Sequence, residues 1–296
     1  MDRPLADTLS PSVTVRDALA WATPILTSAG VPSPRLDAEV LLAHVLKANR
    51  ARLYAAPEQP LDPAQREAYA AVVARRREHE PVPYIIGHRE FYGLDFAVDR
   101  HVLIPRPETE LLVERVLQSA ARWTALDAPL RLADIGTGSG IVAISLAVRL
   151  PTATVYATDA SVDALLVATA NAARHGVADR VQLLYGVLLD PLPEPVHLIA
   201  ANLPYVSSDV LPTLDRDVVD YEPLAALDGG PDGLTHIRRL LDQAGRWLLP
   251  GGTIVLEIGA GQGPAVIAYA AERYPEAHVE LSQDYAGLDR VVRVQM

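Results

Sequence analysis

The stretch "ADIGTGSGIVAISLA", which starts at Ala133, carries residue types suited to ligand binding. An apolar run ends in Asp134, and Gly136, Gly138 and Gly140 follow before an apolar helical pattern begins. A glycine-rich turn between a strand and a helix lets a ligand approach the backbone N–H groups at the helix N-terminus. The spacing is G-x-G-x-G rather than the G-x-G-x-x-G of dinucleotide sites, and a tight packing turn would also produce it.

A second acidic residue supports the ligand interpretation. The next apolar stretch, "VYATDAS", ends in Asp159, 23 residues after Gly136. An acidic group about 20 residues beyond the first glycine is placed to accept hydrogen bonds from ribose hydroxyls. The alternative is an N-cap for the next helix, although Ser161 could cap that helix equally well. Together the two features favour a cofactor that carries a nucleoside, and the tight loop suits one without a pyrophosphate.

The stretch "LIAANLPYVSS", which starts at Leu198, ends an apolar run in an amide, a proline and an aromatic. The residues Asn202, Leu203, Pro204 and Tyr205 could form a simple strand-terminating turn. They could instead hold a planar, nitrogen-bearing substrate at the carboxyl end of a strand. Four residues match by chance too often to decide between the two interpretations.

The elements that would position these residues alternate between strand and helix. Apolar runs predict strands at 131–135, 154–158, 181–185, 198–202 and 253–258, with helices near 141–149, 161–175 and 235–249. This alternation predicts right-handed crossovers and a mostly parallel sheet with helices on both faces. Segments near 278–282 and 290–295 lie too close together for a crossover helix, so an antiparallel edge hairpin is expected.

The first part of the chain reads as helices. Thr14 with Asp17, Ser33 with Pro34, and Asp62 with Gln65 are typical helix starts. The sequence pattern changes at Pro81, and the stretch "YIIGHREFYGLDFAVD" that follows predicts a hairpin. The stretch "LIPRPETELLVERVLQSA" then predicts a helix that begins at Pro107. We therefore expect a helical N-terminal domain over 1–80, a hairpin linker over 81–106 and an α/β domain over 107–296. The basic run at 75–77 is interpreted as a solvated helix face, with a docking patch for a partner as the alternative.

Composition excludes several classes of protein. The 296 residues are 50% hydrophobic and include no cysteine, so there is material for a large core and no thiolate metal site or disulfide scaffold. No apolar run approaches the ~20 residues that span a bilayer, and the first ten residues lack a signal-peptide pattern, so a cytoplasmic protein is expected. Lys/Arg and Asp/Glu balance in residues 1–80, which leaves the whole net charge of −11 in the remainder. Such an acidic body argues against nucleic-acid binding.

The glycine stretch resembles the class I S-adenosylmethionine-dependent methyltransferases. The resemblance implies S-adenosyl-L-methionine as cofactor, with Asp134 near its methionine ammonium group and Asp159 on its ribose hydroxyls. It also implies that the loop and the strand end nearest the sulfonium contact the cofactor through Gly136, Thr137, Gly138, Ser139, Gly140 and Asn202. Enzymes of this class that methylate planar nitrogens carry Asn/Asp-Pro-Pro-aromatic where this chain has "NLPY". An amide nitrogen is a poor nucleophile and must be oriented. The Asn202 side-chain oxygen and the backbone carbonyl of Leu203 or Pro204 would accept hydrogen bonds from its two N–H groups, and Tyr205 would pack flat against the amide.

Six blocks narrow the resemblance to the HemK/PrmC family of peptide chain release factor (glutamine-N5) methyltransferases, and they extend over essentially the whole chain. They are "FYGLDFAVDRHVLIPRPETELLVE", "ADIGTGSG", "NLPY", "YEPLAALDGGPDGL", "LLPGGTIVLEIGAGQ" and "DYAGLDRVV". The resemblance implies methyl transfer to the glutamine of the Gly-Gly-Gln motif in class 1 release factors. It places Asn202, Pro204 and Tyr205 in catalysis and Leu203 beside them in substrate binding.

The sequence departs from the family pattern at two points. Leu203 stands where the family usually has proline, and Val187 and Leu188 stand where an acidic-aromatic pair commonly contacts the adenine. Three alternatives stay open. They are a glutamine methyltransferase acting on a ribosomal protein, an rRNA adenine methyltransferase that shares "NLPY", and a nucleotide-binding module without catalysis.

Overall fold

The computed structural model describes residues 13–123 and 129–296. The chain divides into two compact units, the first formed by Met1–Gly87 with Asp215–Tyr221 and the second by His88–Leu214 with Glu222–Met296. The N-terminal stretch that lacks a signal-peptide pattern lies outside the described residues. Within the described residues, no helix has both the length and the apolar character needed to cross a membrane.

The first unit is helical. Its helices are α1 Val15–Ser28, α2 Pro34–Val45, α3 Arg50–Ala55, α4 Pro63–Arg77, α5 Val82–Ile86 and α9 Arg216–Val219. The predicted capping boxes of Thr14 with Asp17 and of Asp62 with Gln65 are both formed, whereas the Ser33 hydroxyl makes no cap bond. A core from α1, α2 and α4 includes the buried Tyr69, whose hydroxyl donates to the carbonyl of Ala38 at 3.1 Å.

The segment Asp215–Tyr221 belongs to this helical unit although it lies far along the chain. The guanidinium of Arg76 bridges Asp37 and Asp217, at 2.7 Å to each carboxylate. The hydroxyl of Tyr221 donates to the carbonyl of Glu78 at 2.8 Å. The interpretation of the basic run as a solvated face is therefore wrong for Arg76, whose side chain is only 4% exposed. Sequence periodicity could not show this, because the partner carboxylate comes from a distant segment.

The second unit is α/β. Its strands are β1 His88–Phe91, β2 Leu94–Ala97, β3 Arg131–Ile135, β4 Thr154–Asp159, β5 Val181–Tyr185, β6 Val196–Asn202, β7 Leu248–Glu257, β8 His278–Gln283 and β9 Asp289–Gln295. Its α-helices are α6 Thr109–Ala120, α7 Ile141–Arg149, α8 Val162–Arg174, α10 Thr235–Ala244 and α11 Gly263–Arg273. Short 3₁₀ turns occupy Ala121–Trp123, Leu211–Thr213 and Leu224–Ala226.

Seven strands form one sheet in the order β5-β4-β3-β6-β7-β9-β8. The first five in this order are parallel, and β9 and β8 pair antiparallel at one edge. The predicted fold class is thus confirmed. Alternate strand residues enter two cores because successive side chains point to opposite faces. Helices α6, α7 and α8 cover one core, and α10 and α11 cover the other.

Three sequence predictions of local structure differ from the observed elements. Tyr84 and Ile85 lie in the short helix α5 rather than in the hairpin, which begins only at His88, because Gly87 ends the helix in the left-handed conformation (φ +80°). Helix α6 begins at Thr109 rather than at Pro107. Helix α10 ends at Ala244, since the residues from Leu248 onward already belong to β7.

Candidate active site

A cavity of about 340 Å³ opens in the α/β unit where β3, β4 and β6 end. The topology explains this position, because ligands of open α/β sheets bind beyond the carboxyl ends of the strands, where the strand order reverses. The chain runs from β3 outward to β4 and β5, then returns to β6 on the other side of β3. Most sequence-predicted site residues line this cavity: Asp134, Gly136, Thr137, Gly138, Ser139, Asp159, Asn202, Leu203 and Pro204.

Asp134 is a buried acid in the cavity wall, with only 2% of its surface exposed. Its Oδ2 accepts a hydrogen bond from the Thr137 hydroxyl at 2.7 Å and one from the backbone N–H of Ala143 at 3.0 Å. Burial nevertheless raises its pKa to about 6, because removing a carboxylate from water disfavours the charged form. A cationic group bound in the cavity would restore the charged form.

The three glycines of the loop do different things. Gly136 (φ +73°) has a backbone conformation that favours glycine and is tightly packed, since a Cβ there would lie 3.2 Å from Leu203 Cδ2. Gly138 (φ +55°) has open space where a Cβ would be, so its backbone faces the cavity. Gly140 does not line the cavity; a Cβ there would lie 2.8 Å from Ile144 Cδ1 and 3.3 Å from Ala168 Cβ. The third glycine therefore serves the packing of α7 against α8.

Asp159 lines the cavity and shapes the glycine loop at the same time. Its Oδ2 accepts a hydrogen bond from the Gly138 N–H and its Oδ1 one from the Ser161 N–H, both at 2.8 Å. Ser161 is the N-cap of α8, and its hydroxyl accepts from the N–H of Ala164 at 3.1 Å. Since Ser161 supplies the cap, Asp159 is free to face the cavity.

The aliphatic residues that replace the expected acidic-aromatic pair also reach the cavity. Val187 and Leu188 both line it. Leu188 has a left-handed backbone (φ +52°), and its carbonyl accepts a hydrogen bond from the Thr158 hydroxyl at 2.9 Å. Apolar side chains therefore form part of the cavity wall near the ends of β4 and β5.

Asn202 is the last residue of β6 and lies beside Glu257, its partner in the register with β7. Its Nδ2 donates to the hydroxyl of Thr109 at 3.1 Å. Asn202, Leu203 and Pro204 all line the cavity. An amide whose nitrogen is already bound to Thr109 presents its oxygen to a further donor.

Tyr205 is placed differently from its three neighbours, because it does not line the cavity. Its ring packs so close to Gly259 that a Cβ there would lie 3.2 Å from Tyr205 Cδ2. Its carbonyl accepts a hydrogen bond from Gln262 Nε2 at 2.9 Å, and burial raises the pKa of its hydroxyl to about 12. Tyr205 thus anchors the end of the turn, and a contact between its ring and a substrate amide stays a prediction.

Sequence reasoning left three residues of this region without a role. Glu222 has a nearly buried side chain that accepts hydrogen bonds from Arg106 at 2.5 Å and from the Ile104 N–H at 3.1 Å, and so joins two segments of the cavity wall. Glu257 follows an apolar run at a strand end just as Asn202 does, and this shared pattern could have marked Glu257 as a candidate site residue. Thr109 gave no signal, because its partner lies 93 residues away in the chain. In residues 13–123 and 129–296 no cluster of His, Asp and Glu could hold a metal ion.

Comparisons with protein families match both units. The PrmC N-terminal domain family matches residues 17–87, and the ribosomal protein L11 methyltransferase (PrmA) family matches residues 115–218. Among solved structures, the catalytic domain of hMettl16 in complex with the MAT2A 3'UTR hairpin 6 is 14% identical with a TM-score of 0.56, covering 76% of this chain and 81% of that one. The N-terminal domain of human METTL16 in complex with SAH is 15% identical with a TM-score of 0.50, covering 69% and 76%. At these identities the likeness establishes the fold alone.

Curated relatives are much closer. A release factor glutamine methyltransferase of Moorella thermoacetica is 45% identical over 94% of this chain and 97% of its own length. Enzymes of the same name from Geobacter sulfurreducens and Agrobacterium fabrum are 41% and 37% identical, each over 94% of this chain and at least 95% of their own. Identity at this level, sustained along both chains, shows that this protein belongs to the family of release factor glutamine methyltransferases.

Proposed function

We propose that the protein transfers a methyl group from S-adenosyl-L-methionine to the side-chain amide nitrogen of the glutamine in the Gly-Gly-Gln motif of class 1 release factors, in the cytoplasm. The observation that carries the proposal is the Asn202 amide at the cavity. Its nitrogen donates to Thr109, which leaves its oxygen for an N–H group of the acceptor. The names of the curated relatives support the identity of the substrate.

The cavity residues fit the proposed cofactor. Asp134, whose pKa burial raises to about 6, suits an ammonium group, because a cation beside it favours the charged carboxylate. Gly138 leaves open space at its Cβ position, as the close approach of a ligand to the backbone requires. Asp159, Val187 and Leu188 line the cavity; Asp159 would accept hydrogen bonds from the ribose hydroxyls, and the two aliphatic side chains would contact the adenine. S-adenosyl-L-methionine supplies an electrophilic methyl group bound to a sulfonium.

The residues at the end of β6 would prepare the acceptor nitrogen. An amide lone pair is delocalised into the carbonyl, so the nitrogen must be held in the geometry of attack. The Asn202 oxygen and the backbone carbonyl of Leu203 or Pro204 would each accept a hydrogen bond from one N–H group of the glutamine amide. These acceptors orient the lone pair and favour a pyramidal nitrogen. The proton can leave after the methyl group arrives, so no strong base is needed.

The roles of the other predicted site residues follow from their positions. Gly136, Thr137 and Ser139 would border the cofactor, whereas Gly140 would act through helix packing. Tyr205 would hold the turn in place through its carbonyl bond to Gln262, so that its contribution to catalysis is indirect.

Two other substrate classes enter the test as competitors. The match of residues 115–218 to the ribosomal protein L11 methyltransferase family makes a ribosomal protein the second candidate. An RNA substrate is disfavoured by the acidic character of the chain, which has a net charge of −11.

In the experiment the protein and tritiated S-adenosyl-L-methionine are incubated with a release factor, ribosomal proteins and rRNA. The position of the label is then mapped. We expect label on the glutamine of the Gly-Gly-Gln motif and none on a release factor whose motif glutamine is replaced by alanine. Label confined to ribosomal protein or to rRNA would contradict the proposal.

A further inference from the structure

We propose that Thr109 and Glu257 are positioning residues that fix which end of the Asn202 amide faces the acceptor. The proposal rests on the proposed function, since it concerns how Asn202 is presented for methyl transfer. Neither residue was assigned a role by the sequence, and Glu257 does not line the cavity.

The three residues meet at the cavity wall from three separate elements, and Thr109 and Asn202 line the cavity. Asn202 and Glu257 are register partners at the ends of the neighbouring parallel strands β6 and β7, so their side chains leave the sheet on the same face. Thr109 is the first residue of α6. Thr109 and Glu257 are each only 1% exposed. Water therefore has little access to the inner side of the Asn202 amide.

The direction of hydrogen bonding distinguishes the two ends of the amide. The Asn202 nitrogen donates to the Thr109 hydroxyl oxygen at 3.1 Å. A hydroxyl that accepts this bond still has one hydrogen to donate. Burial raises the pKa of the nearby Glu257 carboxyl to about 7, and hydrogen bonding from Thr109 and Asn202 acts in the opposite direction. A carboxyl group has an accepting oxygen whether it is ionised or not. Turning the amide around would place its carbonyl oxygen against the Glu257 carboxyl and would require the Thr109 hydroxyl to donate to Asn202 instead of to Glu257. The arrangement therefore favours the Asn202 oxygen on the cavity side.

A purely structural explanation does not account for Glu257. Its Oε2 has no hydrogen-bond partner among the described residues, and an incompletely satisfied buried carboxyl group destabilises a fold. The charge of this carboxyl is also disfavoured by the negative charge of Glu108 and favoured by the positive charge of Arg290. An apolar or amide side chain of similar size would suit stability better.

Helix capping does not account for Thr109 either. The residue is inside the first turn of α6, and that helix start has no side-chain cap bond. The hydroxyl is therefore directed to Asn202 and Glu257 rather than to a free backbone N–H of its own helix.

The test compares Thr109→Val, which keeps the shape and removes the hydroxyl, with Thr109→Ser, which keeps the hydroxyl. Single-turnover transfer to release factor is measured at saturating cofactor, with calorimetric affinity for S-adenosyl-L-methionine and thermal melts in parallel. We expect Thr109→Val to slow transfer about tenfold or more with cofactor affinity within about twofold, and Thr109→Ser to recover to within about threefold of the parent.

Glu257→Gln separates positioning from stability. We expect slower transfer, because the NH₂ group of glutamine can donate to the Asn202 oxygen and stabilise the reversed amide. The melting temperature should be unchanged or higher, because the substitution removes a buried carboxyl. In the Asn202→Ala background, Thr109→Val should add no further loss, since both act through the same amide. Equal slowing by Thr109→Ser and Thr109→Val, or losses that only follow the fraction of folded protein, would overturn the proposal.

A readout that does not depend on the substrate distinguishes this proposal from the proposed function. The side-chain NH₂ resonances of Asn202, identified by their loss in Asn202→Ala, are followed by hydrogen exchange. One Nδ2 proton should exchange slowly in the parent and in Thr109→Ser, and fast in Thr109→Val. If the parent fails to methylate release factor yet shows this pattern, the proposed function fails and the orientation of the amide stands; fast exchange in the parent overturns the orientation.

Discussion

The carboxyl ends of β3 and β6 lie side by side at the same cavity but are built in different ways. Asp134 at the end of β3 receives its hydrogen bonds from the turn and helix that follow it, three and nine residues on. Asn202 at the end of β6 donates to Thr109, 93 residues earlier, and neighbours Glu257 on β7. The β3 end is thus assembled from local sequence and the β6 end from distant elements. A motif search can find the first and only partly describe the second.

The difference extends to the turns that follow the two strands. Beyond β3, positive φ angles bring the backbone of Gly136 and Gly138 to the cavity, while their N–H groups bond to the Thr158 carbonyl and to Asp159. Beyond β6, the turn is fixed by Gln262, which donates to the Tyr205 carbonyl, and by Gly233, where a Cβ would lie 2.2 Å from that carbonyl oxygen. Substitutions at the β3 end should therefore change cofactor affinity, and substitutions at the β6 end should change methyl transfer.

The largest effect is expected at the β6 end, from Asn202→Ala. The variant should fold and bind S-adenosyl-L-methionine nearly as the parent does, yet transfer the methyl group about 100-fold more slowly or worse, because the acceptor nitrogen loses its orientation. Single-turnover transfer at saturating cofactor and thermal melts measure the two properties. Near-parental transfer by a well-folded variant would show that the strand ends in an amide for structural reasons alone.

The β3 side of the comparison is tested by Asp159→Ala. Loss of charged hydrogen bonds to the ribose should weaken cofactor binding by about 1.5–3 kcal/mol, as measured by titration calorimetry. Part of this loss would come from the Gly138 N–H, which also bonds to Asp159. Asp163→Ala, which removes an exposed carboxylate from the adjacent helix, is the matched control and should bind normally. Equal affinities for the two variants would refute the placement of Asp159.

A pH dependence should distinguish the two strand ends. Because burial raises the pKa of Asp134 to about 6, the carboxyl is protonated below that pH in the free protein and must release its proton to meet a cationic ammonium group. Cofactor affinity should therefore fall up to about tenfold per pH unit as the pH drops below about 6, and change by no more than about twofold between about 6 and 7. Asp134→Asn should bind more weakly with a level profile over the same range. A sloping profile in that variant would assign the titration to another group.

The smallest effect is expected from Leu203→Pro, which restores the usual family residue. Asn202 is in strand conformation, which a following proline favours, and the proposed contact uses a backbone carbonyl. Leu203 is buried under the glycine loop, so the smaller ring should cost about 1 kcal/mol of stability, visible as a shift of a few degrees in the melting temperature. Transfer should stay within about threefold of the parent, and a loss comparable to that of Asn202→Ala would show that the side chain at 203 matters.

Much of the α/β unit could be predicted because its signals are local. The apolar runs for β3 and β5 coincide with the observed strands, and the 23-residue separation between Gly136 and Asp159 does bring both to one cavity. Gly140 shows the limit of this reasoning, since glycine spacing does not reveal whether a residue faces a ligand or a neighbouring helix. The contacts of Thr109 and Arg76 could not be predicted, because their partners are set by tertiary structure.

The return of Asp215–Tyr221 to the helical unit has a consequence for how the protein is made. Arg76 is buried against Asp217, and His79 and Asp217 are 138 residues apart in the chain. During synthesis the first five helices leave the ribosome long before this segment is translated. Until then Arg76 lacks the carboxylate of Asp217 as a partner. The N-terminal unit can therefore reach its final packing only after most of the catalytic unit has been translated. A fragment that ends at residue 87 should be less stable than the same residues within the whole chain.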